Sequence, residues 1–189
     1  YWINYRNLRN NDKKRYMLSL SASYDILDWL NVAGRVRIDN ANNLFTQKLF
    51  ASSNATITEG GNNGHYTEAR TNDTQTYADI MVNVDKTFAQ DYSIVANLGA
   101  SINYISSDEL RYGGPIQENG LANVFNVFDL DDVKKRATKS GWHDETQSVF
   151  GSIEFGWKKS LFLTLTGRND WASQLAGSNQ SSFFYPFAG

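Results

Sequence analysis

The feature that most constrains this chain is a period-two alternation held over whole segments. In "LFLTLTGRNDW", Leu161, Leu163 and Leu165 alternate with Phe162, Thr164 and Thr166 before Gly167, Arg168, Asn169, Asp170 and Trp171 close the run. Successive side chains of a strand point to opposite faces, so this pattern builds an extended strand with one apolar and one largely polar face. A helix would scatter the same leucines around its circumference.

The pattern recurs in hairpins. "RYMLSLSASYDI" carries Tyr16, Leu18, Leu20, Ala22, Tyr24 and Ile26 on one parity, and "LNVAGRVRID" follows after a short turn. "TYADIMVNVDKTF" and "YSIVANLGASINY" flank the turn "AQD", while "QSVFGSIEFGW" and the opening segment flank "KKS". Long alternating runs joined by tight turns are hairpin signals. The expected strands are approximately 15–26, 29–39, 76–88, 92–104, 147–157 and 161–171. A seventh begins in "SSFFYPFAG".

The other connections are long and polar, at about 40–73, 105–145 and 172–182. Short and long connections thus alternate along the chain. Loops beyond ~12–15 residues without structure of their own are uncommon in compact domains. Short turns on one side and long loops on the other are the habit of outer-membrane barrels. The expected strand lengths also match the ~9–11 residues of a tilted transmembrane strand.

Aromatics gather near the expected strand ends. Trp29, Phe88, Tyr92, Trp157 and Phe162 stand beside the tight turns, and Tyr16, Tyr104 and Trp171 toward the long loops. Two such belts suit two membrane–water interfaces. Between them the apolar faces carry no Asp, Glu or Arg, and Lys86 sits near enough to a turn to snorkel. Alternation alone leaves a second architecture open: a self-contained soluble β-barrel or sandwich that binds a ligand, its apolar face turned inward.

Composition removes several function classes. The 189 residues hold 18 Lys and Arg against 20 Asp and Glu, so no basic surface argues for nucleic acid. Cysteine is absent, which excludes disulfide frameworks and thiol chemistry. No apolar run approaches the ~20 residues of a membrane-spanning helix. No secretory leader opens the sequence, and both ends are abrupt, so a piece of a longer polypeptide is expected. The two histidines, His65 and His143, fall in different long loops without a companion nucleophile, so no enzyme is expected; an outer-membrane enzyme is the third reading. Asp129, Asp131 and Asp132 lack the glycine-punctuated pattern of a calcium loop, and neither metal nor cofactor is expected.

Three motifs carry a resemblance. Tyr24, Asp25, Asp28, Trp29 and Leu30 form one; Leu163, Thr164, Gly167, Arg168, Asn169, Asp170 and Trp171 another; Phe183, Phe184, Tyr185 and Pro186 the third. Together they resemble the barrel of SusC/RagA-like TonB-dependent outer-membrane transporters of Bacteroidetes, with Ala172 where serine is usual. The resemblance implies an all-β, antiparallel up-and-down transmembrane barrel of 22 strands, of which residues 1–189 supply six to seven within one barrel domain. It also implies a plug domain outside this chain, energisation through the TonB complex, and a SusD-like surface lipoprotein as partner. Uptake of oligosaccharide or peptide across the bacterial outer membrane follows, with outer-membrane lipid around the wall and no chemistry of the chain's own.

Candidate site residues fall in two groups. Arg35, Arg37, Asp79, Glu154, Arg168 and Asp170 share the polar parity and would line the lumen or its rim, or pair across strands. Tyr112, Asn119, Asn123, Phe125, Asn126 and Trp142 stand in the second long loop, where rings and amides suit a sugar or peptide. For Arg168 the structural alternative is a pair with a carboxylate of the neighbouring strand.

Overall fold

A computed structural model describes residues 6–89, 91–179 and 181–189. Tyr1 and Trp2, which open the chain, lie outside the described residues, as does Gln90 of the expected second turn. Seven strands form one antiparallel sheet in sequence order: β1 (Leu8–Leu27), β2 (Leu30–Phe50), β3 (Gly64–Phe88), β4 (Tyr92–Pro115), β5 (Arg136–Trp157), β6 (Leu161–Ala172) and β7 (Ser182–Ala188). The six expected strands and the seventh are all present.

Their bounds differ from the sequence reading at one end. β1 to β5 have 20 to 25 residues each, so most of the expected long loops is strand. Only 51–63 of the first connection and 116–135 of the second stand outside strands. The physical reason lies in the side chains. Beyond Tyr16, Asp39 and Asn103 neither face stays apolar: residues such as Leu49, Tyr66 and Ala69 stand among polar ones, so the regular hydrophobic period vanishes while the backbone ladder continues. Asn40 shows how, its Nδ2 donating to Asn72 Oδ1 and Thr74 Oγ1, both at 2.8 Å.

The chain divides into two compact units. Unit 1 comprises Tyr1–Tyr16, Asn40–Thr74 and Ser106–Trp142; unit 2 comprises Met17–Asp39, Gln75–Ile105 and His143–Gly189. Among the described residues the buried hydrophobic side chains are Ala41, Leu49, Tyr66, Ala69, Ile116 and Leu130, all in unit 1. Unit 2 behaves oppositely. Leu20 is 72% exposed, Leu98 61%, Leu161 62% and Leu163 51%.

Strand register fixes which side chains share a face of unit 2. Leu161, Leu163 and Leu165 of β6 stand opposite Trp157, Phe155 and Ile153 of β5. Across from them, on the other parity, Thr164, Thr166, Arg168 and Asp170 meet Glu154, Ser152, Phe150 and Ser148. One face is therefore a continuous apolar stripe and the other mostly polar. β7 is less regular, since Tyr185 and Phe187 stand opposite Arg168 and Thr166 on the polar face.

A soluble sandwich needs a second layer over those leucines. The described residues of unit 2 supply none.

Candidate functional site

The polar face of unit 2 is an ordered network. Arg35 donates from Nε and Nη2 to the same Asp79 Oδ2, at 2.9 and 2.8 Å, bridging β2 and β3. The carboxylate is nearly buried while the guanidinium is half exposed. Tyr77 lies beneath both neighbouring cations, 5.4 Å from Arg35 Cζ and 5.8 Å from Arg37 Cζ. Asn83 donates to Asn31 at 3.1 Å, and Asn31 donates to Asp25 at 2.6 Å. Amides and charges thus tie β1, β2 and β3 together on this face.

A second group surrounds Arg168. Its Nε donates to Asp170 Oδ1 at 2.7 Å and its Nη2 to Ser148 Oγ at 3.0 Å, with Cζ 5.7 Å above the Phe150 ring. The neighbouring-strand carboxylate expected for Arg168 is therefore replaced by one on its own strand. Residues i and i+2 share a face, which lets Asp170 fold back onto Arg168. Thr164 donates to Glu154 at 3.4 Å, and Asn97 donates to Ser152 at 3.2 Å. Phe150 lies over Gly99, where a Cβ would fall 2.6 Å from the ring. That close approach is the reason for glycine at 99. Met81, Asn97, Phe150, Arg168 and Tyr185 line a shallow depression here.

All six polar-parity candidates belong to unit 2. Arg35 meets Asp79 and Arg168 meets Asp170, while Arg37 and Glu154 engage Tyr77 and Thr164. Tyr77 and Phe150 escaped the sequence reading. Their parity with Asp79 and Ser148 was the signal available, and aromatic character concealed it.

The loop candidates lie in unit 1, and several hold the loop itself. Phe125 packs edge-on against Phe50 with ring centroids 4.9 Å apart, and Lys48 Nζ is 5.7 Å from its centroid. Asn123, at φ 66°, accepts from Ala51 N–H at 2.8 Å and donates its own N–H to Asn63 O at 2.9 Å. Asn126 caps the 3-10 turn Val127–Asp129 by accepting from Phe128 N–H. Asn119 is exposed in a turn, Tyr112 is half-buried in β4, and Trp142 is 54% exposed on β5. Of the six, Asn119 and Trp142 are exposed and make no side-chain hydrogen bond or ring contact among the described residues.

The acidic run is likewise structural. Asp131 Oδ1 accepts from the N–H groups of Lys134 and Val133, both at 2.9 Å, and these bonds hold its carboxyl below the usual range. Asp132 pairs with Lys135. Among the described residues no cluster suits a metal ion. His143 stacks on Tyr104 with centroids 6.2 Å apart.

His65 is the unusual titratable group of unit 1. It is buried, its Nδ1 has no hydrogen-bond partner, and its Nε2 lies 3.8 Å from Glu59, which Arg136 also pairs. Burial lowers its pKa; Glu59 opposes that and Arg136 adds to it. The folded chain therefore holds this proton more weakly than the unfolded chain. The neutral-His65 contribution to stability is complete above the ordinary histidine value of ~6.5 and is lost as pH falls below it. The protection of amides 56–68, taken as exchange relative to the intrinsic rate at each pH, is expected to fall between pH 7.5 and 5, and His65→Gln to flatten that response. An unchanged pH response in the variant would assign the sensitivity elsewhere. Tyr66 is pushed up to about 12, by burial first and by its bond to Glu68 second.

No protein-family model matches the sequence, and no curated protein matches it. Solved structures do. A structure of the RagAB peptide transporter matches over 99% of this chain and 20% of its own, with a TM-score of 0.78 at 14% identity. The RagAB peptide importer matches in its "open-open" state with TM-score 0.80 at 13% identity, again over 99% and 20%. In its "closed-closed" state it matches with TM-score 0.77 at 14% identity, over 97% and 20%.

The likeness is one of fold. At this identity it carries the arrangement of strands and no residue role. The chain spans about one fifth of the length of the chains it matches. Motif resemblance and structural likeness nonetheless converge on one architecture, an antiparallel barrel wall.

Proposed function

We propose that this chain is a section of the β-barrel wall of a TonB-dependent outer-membrane importer of the SusC/RagA kind, passing a peptide or oligosaccharide. The observation that carries the reading is the sidedness of unit 2. Its large apolar side chains are uncovered on one face, while the other carries a satisfied network of amides and charges. Lipid meets the first face and a wet lumen the second, as in barrels whose strands alternate in this way.

The RagAB likeness supports the architecture, and the peptide named for those proteins makes a peptide the first substrate class to test. A SusD-like surface lipoprotein over the barrel and the TonB complex beneath it complete the proposal; both rest on the motif resemblance. The Arg35–Asp79 and Arg168–Asp170 groups act in wall and rim, holding strands and presenting charge. No reaction is assigned to any residue.

The test uses the complete polypeptide in its own membrane. It is expected in the outer-membrane fraction, and cells lacking it should lose uptake of labelled oligopeptide or oligosaccharide. Uptake should also stop when a protonophore collapses the inner-membrane potential. Recovery of the polypeptide in the soluble fraction would end the membrane reading. Uptake indifferent to the protonophore would end the TonB part alone.

A further inference from the structure

The tight turn between β5 and β6 has an unexpected composition. Lys158 and Lys159 occupy consecutive positions at φ 49° and 53°, and Ser160 N–H closes the turn on Trp157 O at 3.0 Å. Two successive positive φ angles are the pattern of a type I′ turn, for which Asn-Gly is the favoured pair; one further residue, Ser160, precedes the first pair of the ladder, Trp157 and Leu161. Long side chains at both positions carry a backbone cost that Asn-Gly would not. A strained conformation kept in this way points to a use for the side chains.

The neighbouring turn brings a third cation. Lys158 N–H donates to Asp91 O at 2.6 Å, joining the β5–β6 turn to the β3–β4 turn. Just before the latter, Lys86 lays its ammonium 4.3 Å from the Trp29 ring centroid and 5.3 Å from that of Phe88. Lys158 does the same over Trp157 at 5.4 Å. Asp85, next to Lys86, falls on the opposite parity; Asp91 and Asp28 belong to the adjoining turns. Among the described residues none of the three lysines forms an ion pair. Each of the two ring-bound ammoniums is instead held at the end of the apolar face, on aromatic faces suited to a membrane interface.

We propose that Lys86, Lys158 and Lys159 form a binding site for the phosphate headgroup of an anionic phospholipid at the tight-turn edge of the wall. The site deepens the membrane reading above and rests on it. Rings of Trp29, Phe88 and Trp157 sit at headgroup depth, and the ammoniums reach from them toward phosphate. An ammonium near a membrane surface attracts anionic lipid while a zwitterionic headgroup gains little.

The turn supplies its own control. Replacing Lys158 and Lys159 by Asn and Gly removes two charges and gives the backbone its preferred pair, so K158N/K159G should fold with equal or greater thermal stability. K86Q keeps a stem on Trp29 without the charge. The complete polypeptide is reconstituted in phosphatidylcholine bilayers containing spin-labelled phosphatidylglycerol or spin-labelled phosphatidylcholine, and the motionally restricted fraction is read by electron spin resonance. The wild type should prefer phosphatidylglycerol, and the preference should fall by roughly five-fold per lysine removed at low salt. A triple variant that keeps the preference overturns the assignment, as does a wild type that restricts both lipids equally. A wild type whose detergent-solubilised form binds inorganic phosphate through these lysines without preferring phosphatidylglycerol also overturns it, in favour of a free-anion site. A polypeptide that leaves both lipids fully mobile overturns the membrane reading, and this inference with it.

Discussion

Leu165→Arg is expected to destabilise the complete barrel by roughly 2–4 kcal/mol, the penalty of a cation at the lipid face near the bilayer midplane. Leu165 is 44% exposed and stands between Ile153 and Ala188 on the apolar face, where no carboxylate waits for a guanidinium. Thr164→Arg, one residue away, should be tolerated. Its side chain points to the polar face, and Glu154 already sits within 3.4 Å of it as a partner. Folding in lipid, followed by urea titration, reads both variants. Similar losses at both positions would contradict the sidedness of unit 2.

That pair of variants also marks what the sequence could reveal. Parity placed Leu161, Leu163 and Leu165 on one face and Arg35, Asp79, Glu154 and Arg168 on the other. A period-two pattern needs only one strand to be read. Partner choice needs two. That Arg35 reaches Asp79 across 44 residues, while Arg168 turns to Asp170 on its own strand, depends on register and was not legible. The strands were visible only as far as one face stayed apolar. Asn40, Asn72 and Thr74 continue the strands with polar groups where the apolar period has ended, a composition shared with loops.

The loops hid the most. Their sequence is rich in Asn, Gly and Thr, yet they contain the buried core of unit 1. Asn63 is the reason. Its Nδ2 donates to the carbonyls of Gln117, Glu118 and Gly120, at 2.8, 3.1 and 3.1 Å, joining segments more than fifty residues apart. Glycine completes the join: a Cβ at Gly61 would fall 2.6 Å from Pro115 Cβ, and one at Gly64, where φ is 109°, 2.6 Å from Leu49 O. Polarity read as solvent exposure is here internal satisfaction, since buried polar groups need partners as firmly as apolar ones need burial.

Ile116→Ala should therefore cost about 2–5 kcal/mol in unit 1, although the residue stands in what reads as a polar loop. Ile116 is 1% exposed. Its N–H donates to Gly64 O at 2.9 Å, and it forms an isolated bridge with Leu130, itself 2% exposed. Removing the side chain leaves a cavity beside Gly64 and Leu130, where the backbone bonds of Ile116 N–H to Gly64 O and of Asp131 N–H to Pro115 O resist collapse. Such a site recovers little by relaxation, which favours the upper part of the range. Hydrogen exchange should speed in 51–63 and 116–135 and stay unchanged in β6. Phe128→Ala is the control, because Phe128 is 90% exposed and its loss should leave the same amides alone. If the two variants behave alike, the loops are not packed around Ile116, and the assignment of Phe125, Asn123 and Asn126 to loop architecture falls with it.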